Sequence, residues 1–168
     1  MPVSHAGNSA TFRVSAPSER VISMTRLFDA PRHLVFDAMH KPEHIKEWWG
    51  RLGEGYSVPE CDVDLRPGGK WRFVSRTAKG QLVVFYGAYR EITPPERVVY
   101  TEIFEPFPDA ESVIEAVYAE EGGKTRLTLT CTYPSQAVRD MVLSSGMEKG
   151  AAISYDRLEE VAMGLVGA

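Results

Sequence analysis

The sequence has few of the features that mark secreted, metal-binding or membrane proteins. It has only two cysteines, Cys61 and Cys131, and they do not form a Cys-x-x-Cys motif, so neither a disulfide framework nor a zinc site is predicted. No apolar run approaches the ~18 residues of a transmembrane span, and the first ten residues contain no hydrophobic segment of a secretory signal. We therefore expect a soluble, reduced, cytoplasmic protein with no membrane partner and with both thiols unpaired.

The sequence also has no excess of positive charge. Nineteen Lys and Arg residues stand against 23 Asp and Glu, which gives a net charge of −4 and argues against nucleic acid as a partner. The remaining composition is that of a globular chain, because 43% of the residues are hydrophobic and 10% are aromatic. A length of 168 residues predicts a single domain.

Common catalytic and cofactor motifs are absent. The chain has no GxSxG, GxxxxGK[ST] or HExxH sequence. The glycine-rich segment 50–55 follows a predicted helix and not a strand, so it does not indicate a dinucleotide site. His40 and His44 have the spacing of two metal ligands on one helix, but Pro42 between them is expected to break that helix. We expect no metal and no cofactor.

Hydrophobic patterning near the N-terminus predicts one strand followed by two short helices. Alternation predicts a strand over Val21–Phe28, and apolar spacing predicts helices over Arg32–Met39 and Glu43–Trp49. Asp29 is a candidate N-cap for the first helix, with Pro31 in its first turn. Residues 1–19 are expected to be an N-terminal extension, with a candidate edge strand from about residue 11, and residues 20–165 one domain.

From residue 56 onward the hydrophobic period changes to two, which is typical of half-buried strands. The predicted strands are Cys61–Leu65, Trp71–Val74, Leu82–Ile92, Val98–Phe104, Ser112–Ala119 and Thr125–Tyr133. Short turns between them, including the hairpin sequence Glu121–Lys124, predict an antiparallel meander.

Two helices are predicted to end the chain. Ser135 is a candidate N-cap for a helix over Gln136–Leu143, and a longer helix is predicted over Met147–Met163. One stripe of the longer helix is apolar, and it consists of Met147, Ala151, Tyr155, Leu158 and Ala162. Since the sheet must cover its apolar face, the fold class is predicted to be α+β, with this helix against a curved antiparallel sheet.

Aromatic residues dominate the candidate binding site. Those that share strand faces or lie beside a helix end are Trp48, Trp49, Trp71, Phe73, Phe85 and Tyr89. Opposite them the long helix carries small residues, Gly150, Ala151 and Ser154, which leave volume unless large sheet residues reach across. Two interpretations stay open at this point: a packed core, or a small-molecule cavity lined by aromatics.

Glu102 is the one carboxylate on an otherwise apolar and aromatic face of its predicted strand. It shares that face with Val98, Tyr100 and Phe104. If that face is inward, the carboxylate needs a partner, and if the strand is bulged, it is exposed. With a tyrosine such as Tyr89 or Tyr155 it is also a weak candidate for acid–base catalysis.

Several motifs resemble the START-like (SRPBCC) superfamily. They are Phe28–Pro31, Val35–Asp37, Pro42–His44, Trp48–Gly50, Asp64–Phe73, Ile92–Arg97, Tyr100–Glu102, Ser145–Glu148 and Ser154–Leu158. The chain is most similar to the branch named for activators of the ninety-kilodalton heat-shock chaperone's ATPase, over about residues 20–163. The resemblance implies a helix-grip fold, in which a curved antiparallel sheet wraps around a long C-terminal helix and encloses a cavity.

Three functions follow as hypotheses from this resemblance. The first is a binding protein for a small apolar or amphiphilic ligand, as superfamily members bind lipids, hormones or polyketides. Its candidate contacts are Trp48, Trp49, Trp71, Phe73, Phe85, Tyr89, Glu102, Met147, Ala151 and Tyr155. The second is a co-chaperone-like interaction module, and the third is a cyclase- or hydrolase-type enzyme that uses a cavity carboxylate. A homodimer is left open as well.

Overall fold

A computed structural model describes residues 10–167 and, within that range, contains one eight-stranded sheet and four helices. The strands are β1 Arg13–Ser18, β2 Val21–Phe28, β3 Ser57–Val63, β4 Lys70–Arg76, β5 Leu82–Thr93, β6 Arg97–Phe104, β7 Ser112–Glu121 and β8 Lys124–Thr132. The helices are α1 Arg32–His40, α2 Pro42–Trp48, α3 Gln136–Ser144 and α4 Met147–Gly164. The strand order is β1-β2-β8-β7-β6-β5-β4-β3, and every neighbouring pair is antiparallel.

The sheet curves around α4, which confirms the predicted α+β helix-grip fold. Alternate residues of the strands face this helix and form the core, among them Ile22, Phe28, Val98, Ile114, Ala116, Leu127 and Leu129. From α4, the buried residues Tyr155, Leu158 and Ala162 pack against them, as the apolar stripe predicts. The concave face of the sheet and the inner face of α4 therefore enclose the interior of the molecule.

The N-terminal edge of the sheet is β1, which pairs with β2. Residues 1–9 of the expected extension lie outside the described residues. Over the described part of the chain, no helix has the length and apolar character needed to cross a membrane.

Two predictions about local structure are wrong. Asp29 does not cap α1, because the N-cap is Pro31, whose side chain makes no capping hydrogen bond. The third strand runs over Ser57–Val63 and not over Cys61–Leu65. Pro59 argues against a central strand, but β3 is an edge strand, where a missing N–H is tolerated.

Helix α3 begins as the sequence predicts. The Ser135 hydroxyl accepts a hydrogen bond from the Val138 N–H, as an N-cap does. The hairpin between β7 and β8 is also confirmed, since Glu121 and Lys124 form its last pair.

A buried ion pair joins α4 to β2. The Arg26 guanidinium donates to Glu159 at 3.1 Å and to Asp156 at 2.7 Å, and the Arg26 and Glu159 side chains are 1% and 0% exposed. The second carboxylate oxygen of Glu159 accepts the backbone N–H of Asp29 at 2.9 Å. The Glu159 carboxylate therefore connects α4 both to β2 and to the turn that precedes α1.

Leu158→Ala is expected to lower the free energy of unfolding by about 2–5 kcal/mol, because the side chain is completely buried and its removal leaves a cavity. Urea denaturation measures the change. Leu82→Ala is the matched control, since Leu82 is 57% exposed and its loss should cost less than about 0.5 kcal/mol. Equal effects at the two positions would show that α4 does not pack as described.

A double-mutant cycle tests the ion pair. Arg26→Met is expected to cost about 3–5 kcal/mol, because it removes the cationic partner of the buried Glu159 carboxylate. Glu159→Met is expected to cost less, because Arg26 keeps its ion pair with Asp156. The double variant should be more stable than the sum of the two losses predicts, by at least about 1 kcal/mol. Additive losses in urea denaturation would contradict a direct interaction.

Candidate functional site

The two neighbouring tryptophans after α1 have different environments. Trp48, the last residue of α2, is buried, and its indole N–H donates to the Ala38 carbonyl at 2.8 Å. Trp49 lies just past the helix, and its half-buried ring makes edge contacts with Phe73 at 5.2 Å and Phe85 at 5.8 Å. Trp48 therefore anchors α2 to α1, whereas Trp49 belongs to the aromatic lining of the sheet.

Aromatic rings lead from the core to the surface along the concave face. Trp71 and Phe73 lie 4.8 Å apart, and Phe85 stacks on Phe104 at 4.9 Å. Phe104 in turn lies 6.0 Å from Phe107. Exposure rises from 4% for Trp71 to 47% for Phe107. We call Trp49, Phe73, Phe85, Phe104 and Phe107 the aromatic path.

Gly87 allows Trp71 to reach across the sheet. The Trp71 indole N–H donates to the Thr101 carbonyl at 3.1 Å, although β5 lies between their strands. A Cβ atom on Gly87 would lie 1.8 Å from that carbonyl oxygen and 2.9 Å from the indole nitrogen. Only glycine fits at this crossing, so Gly87 fixes the position of the largest ring at the inner end of the site.

Glu102 faces the interior. Its strand pairs with β7 without a register shift, and Glu102 lies opposite Ser112, a buried residue of the concave face. The irregularity between β5 and β6 falls between Tyr89 and Glu91, away from Glu102. The inward interpretation is therefore the right one, and the bulged alternative is wrong.

Among residues 10–167, no side chain of opposite charge pairs with the Glu102 carboxylate, and burial raises its pKa to about 7. Its charge adds to the effect of burial in raising the pKa of four neighbours, Tyr100, Cys131, Tyr133 and Tyr155. At neutral pH these four groups carry no charge. We call Glu102 and these four residues the interior polar cluster.

The helical side of the site is less open than the sequence suggests. Ala151 and Met147 are half-buried, and Ser154 and Tyr155 are buried. The sequence predicts that Gly150 faces the sheet, but a Cβ atom there would lie 3.7 Å from the Leu52 side chain. A side chain of the loop after α2 thus covers Gly150, so part of the expected volume is filled.

Two depressions stand out on the surface of residues 10–167, and both lie away from α4. One, of about 390 Å³, is lined by Ser18, Glu19, Arg20, Val21 and Thr132. The other, of about 300 Å³, is lined by Asp62, Lys70, Trp71, Arg72, Tyr86 and Gly87. On the side of the sheet that faces α4, four inward-facing side chains keep accessible surface: Phe73, Phe85, Tyr100 and Glu102.

The residues proposed as ligand contacts fall into two groups. Trp48, Trp71, Tyr89 and Tyr155 are buried core residues, whereas Trp49, Phe73, Phe85, Glu102, Met147 and Ala151 keep accessible surface. Phe107, Tyr100 and Tyr133 are additional members of the site. The period-two pattern places Tyr100 on the same strand face as Glu102, whereas Phe107 lies in a loop where no periodicity identifies it.

Metal-binding geometry is not present among the described residues. No three His, Cys, Asp or Glu side chains in that part of the chain are grouped to hold an ion. His40 is buried in α1, its Nδ1 lies 2.8 Å from the Phe36 carbonyl oxygen, and burial lowers its pKa to about 4. Cys61 and Cys131 are both buried and unpaired, as expected.

Solved structures share this fold at low sequence identity. A protein from Rhodobacter sphaeroides has a TM-score of 0.83 and 21% identity, covering 92% of this chain and 99% of that one. A protein from Nitrosomonas europaea has a TM-score of 0.77 and 23% identity, covering 91% and 100%. An AHSA1-like protein from Aeromonas hydrophila has a TM-score of 0.62 and 16% identity, covering 84% and 92%. No curated protein matches the chain. The fold that this chain shares with these three solved structures is the helix-grip fold.

The family follows from the sequence match. Residues 29–163 match the model of the family described as Activator of Hsp90 ATPase homolog 1-like protein (AHSA1). The chain belongs to this family, which is the START-like branch that the motifs indicate.

Glu102→Gln is expected to change how stability depends on pH. Because the pKa of Glu102 is about 7 in the native state and near 4.5 when unfolded, the native state binds a proton more tightly between these values. The contribution of Glu102 to the free energy of unfolding is therefore greatest below about pH 4.5, and it declines as the pH rises to about 7. The free energy of unfolding of the variant should equal that of the parent at pH 4, and it should be roughly 1–3 kcal/mol higher than that of the parent at pH 8.

Urea denaturation at several pH values measures this difference. Glu111→Gln is the control, because Glu111 is an exposed carboxylate just before β7. That variant should reproduce the pH profile of the parent. A Glu102→Gln profile parallel to that of the parent would contradict the burial of this carboxylate.

Proposed function

We propose that this protein binds a small apolar or amphiphilic molecule between the concave face of the sheet and α4. The observation that carries the proposal is the aromatic path, in which inward-facing rings keep accessible surface up to the exposed Phe107. Aromatic side chains in a closed core bury most of their surface, so rings left accessible on a concave face are available to a ligand.

The chemistry of the lining fits an amphiphile. The aromatic path offers apolar surface, and covering it would contribute about 25 cal/mol per Å² of area removed from water. Beyond the rings, the interior polar cluster provides phenol hydroxyls and one carboxylate, which would orient the polar end of a ligand. A few polar groups at the end of an apolar lining are the usual composition of a small-molecule site.

Two alternatives have less support. Glu102, with a pKa of about 7, has the protonation behaviour of a general acid or base, but burial raises the pKa of Tyr155 so far that this phenol is a poor proton donor. Contact with a chaperone is suggested by the family description alone. A homodimer and the cytoplasmic location stay predictions.

Ala151→Trp tests the proposal, because Ala151 is half-buried on the inner side of α4. The parent is expected to bind the neutral fluorescent probe N-phenylnaphthylamine, with a rise in probe emission and a change in tryptophan emission. In the variant the indole should fill the space and lower the probe's affinity at least tenfold, while the free energy of unfolding changes by less than about 1 kcal/mol.

Ala137→Trp is the matched control, since Ala137 is exposed on α3 and the same substitution there should leave probe binding unchanged. In a fully packed interior, Ala151→Trp would instead cost about 1–3 kcal/mol or more. A strongly destabilised variant, together with a parent that does not bind the probe, would overturn the proposal.

A further inference from the structure

The interior contains two acidic side chains with different surroundings. Glu159 is paired with Arg26 at 3.1 Å and also accepts a backbone N–H, so its charge is compensated within the protein. Glu102 lies in the same interior, but the groups that its charge influences are the three phenols and the thiol of the interior polar cluster. None of these four groups carries a positive charge.

Three of the groups that the Glu102 charge influences are tyrosines, and two of them belong to a network of aromatic rings. Tyr100, two residues before Glu102 on the same face, makes an edge contact with Trp71 at 5.9 Å and lies 6.3 Å from Tyr89. From α4, Tyr155 lies 6.5 Å from Trp48. Electron-rich ring faces attract cations, and a carboxylate adds a full negative charge to that attraction.

We propose that the ligand's polar end is a cationic amine, which pairs with the Glu102 carboxylate among the tyrosine rings while the apolar part lies along the aromatic path. This inference rests on the proposed function and specifies its ligand class. An anionic head group would meet a like charge in a region of low dielectric constant, which is unfavourable. An alcohol would donate one hydrogen bond but leave the negative charge uncompensated.

The groups facing Glu102 would allow this ion pair to depend on pH in a defined way. Tyr100 on β6, Cys131 on β8, Tyr133 just after β8 and Tyr155 on α4 all remain neutral at pH 5–8, because burial raises the pKa of each. Glu102 is therefore the group of this cluster that titrates in that interval. Amine binding should weaken as the pH falls from 8 to 5, and binding of a neutral ligand should not.

Three probes of equal chain length test the inference: decylamine, decan-1-ol and decanoate, titrated below their aggregation limits and followed by tryptophan emission and calorimetry. At pH 8 the parent is expected to bind decylamine at least tenfold more tightly than decanol, and decanoate most weakly. In Glu102→Gln, the affinity for decylamine should fall at least tenfold, while the affinity for decanol should stay within about twofold.

Glu111→Gln is the control, because it removes one exposed negative charge without touching the interior. It should keep the preference of the parent, which separates pairing with Glu102 from a general effect of net charge. Equal affinities for the three probes, or a preference unchanged in Glu102→Gln, would overturn the inference and leave the proposed function intact. Absence of binding by all three probes would contradict the proposed function itself.

Discussion

The buried ion pair between Arg26 and Glu159 is the interaction on which the arrangement of the interior depends. Its carboxylate is shared by the Arg26 guanidinium and the Asp29 N–H, so α4 is fixed relative to both β2 and the turn that begins α1. Buried charges tolerate little displacement, because each loses its compensation when the partner moves. The rotation of α4 is set in this way, and that rotation places Tyr155 and Leu158 in the core.

This constraint divides the interior into two unequal parts. Near the ion pair the strands contribute closely packed aliphatic and aromatic residues, such as Ile22, Phe28 and Leu127, which are at most 1% exposed. Over β4 to β6 the inward-facing side chains are large rings that keep accessible surface, including Phe73 and Phe85. Because one helix covers a wide curved sheet and is held at the β2 side, any space for a ligand lies toward the other side.

The sequence predicts this fold well and the site only in part, for physical reasons. Elements bounded by turns and proline are recovered within a few residues, since local periodicity determines them. Whether Glu102 faces inward depends on where the β5–β6 irregularity falls, between Tyr89 and Glu91, and periodicity does not locate it. Local pattern does not predict the burial of Glu159, because a charged helix residue is expected in solvent and its partner Arg26 lies 133 residues away.

The two interior carboxylates differ in what compensates their charge, and this difference connects stability to binding. The charge of Glu159 is compensated by Arg26 when the chain folds, so the ion pair offsets the unfavourable desolvation of this carboxylate within the native structure. Glu102 is desolvated without such a partner among the described residues, and this desolvation raises its pKa to about 7. A ligand that binds only the native state stabilises it, and one that carries a positive charge would also lower the pKa of Glu102. The free energy lost on burying this carboxylate would then be recovered when the ligand binds. The folded protein would thus contain an uncompensated negative charge, and the ligand would supply the positive charge that compensates it.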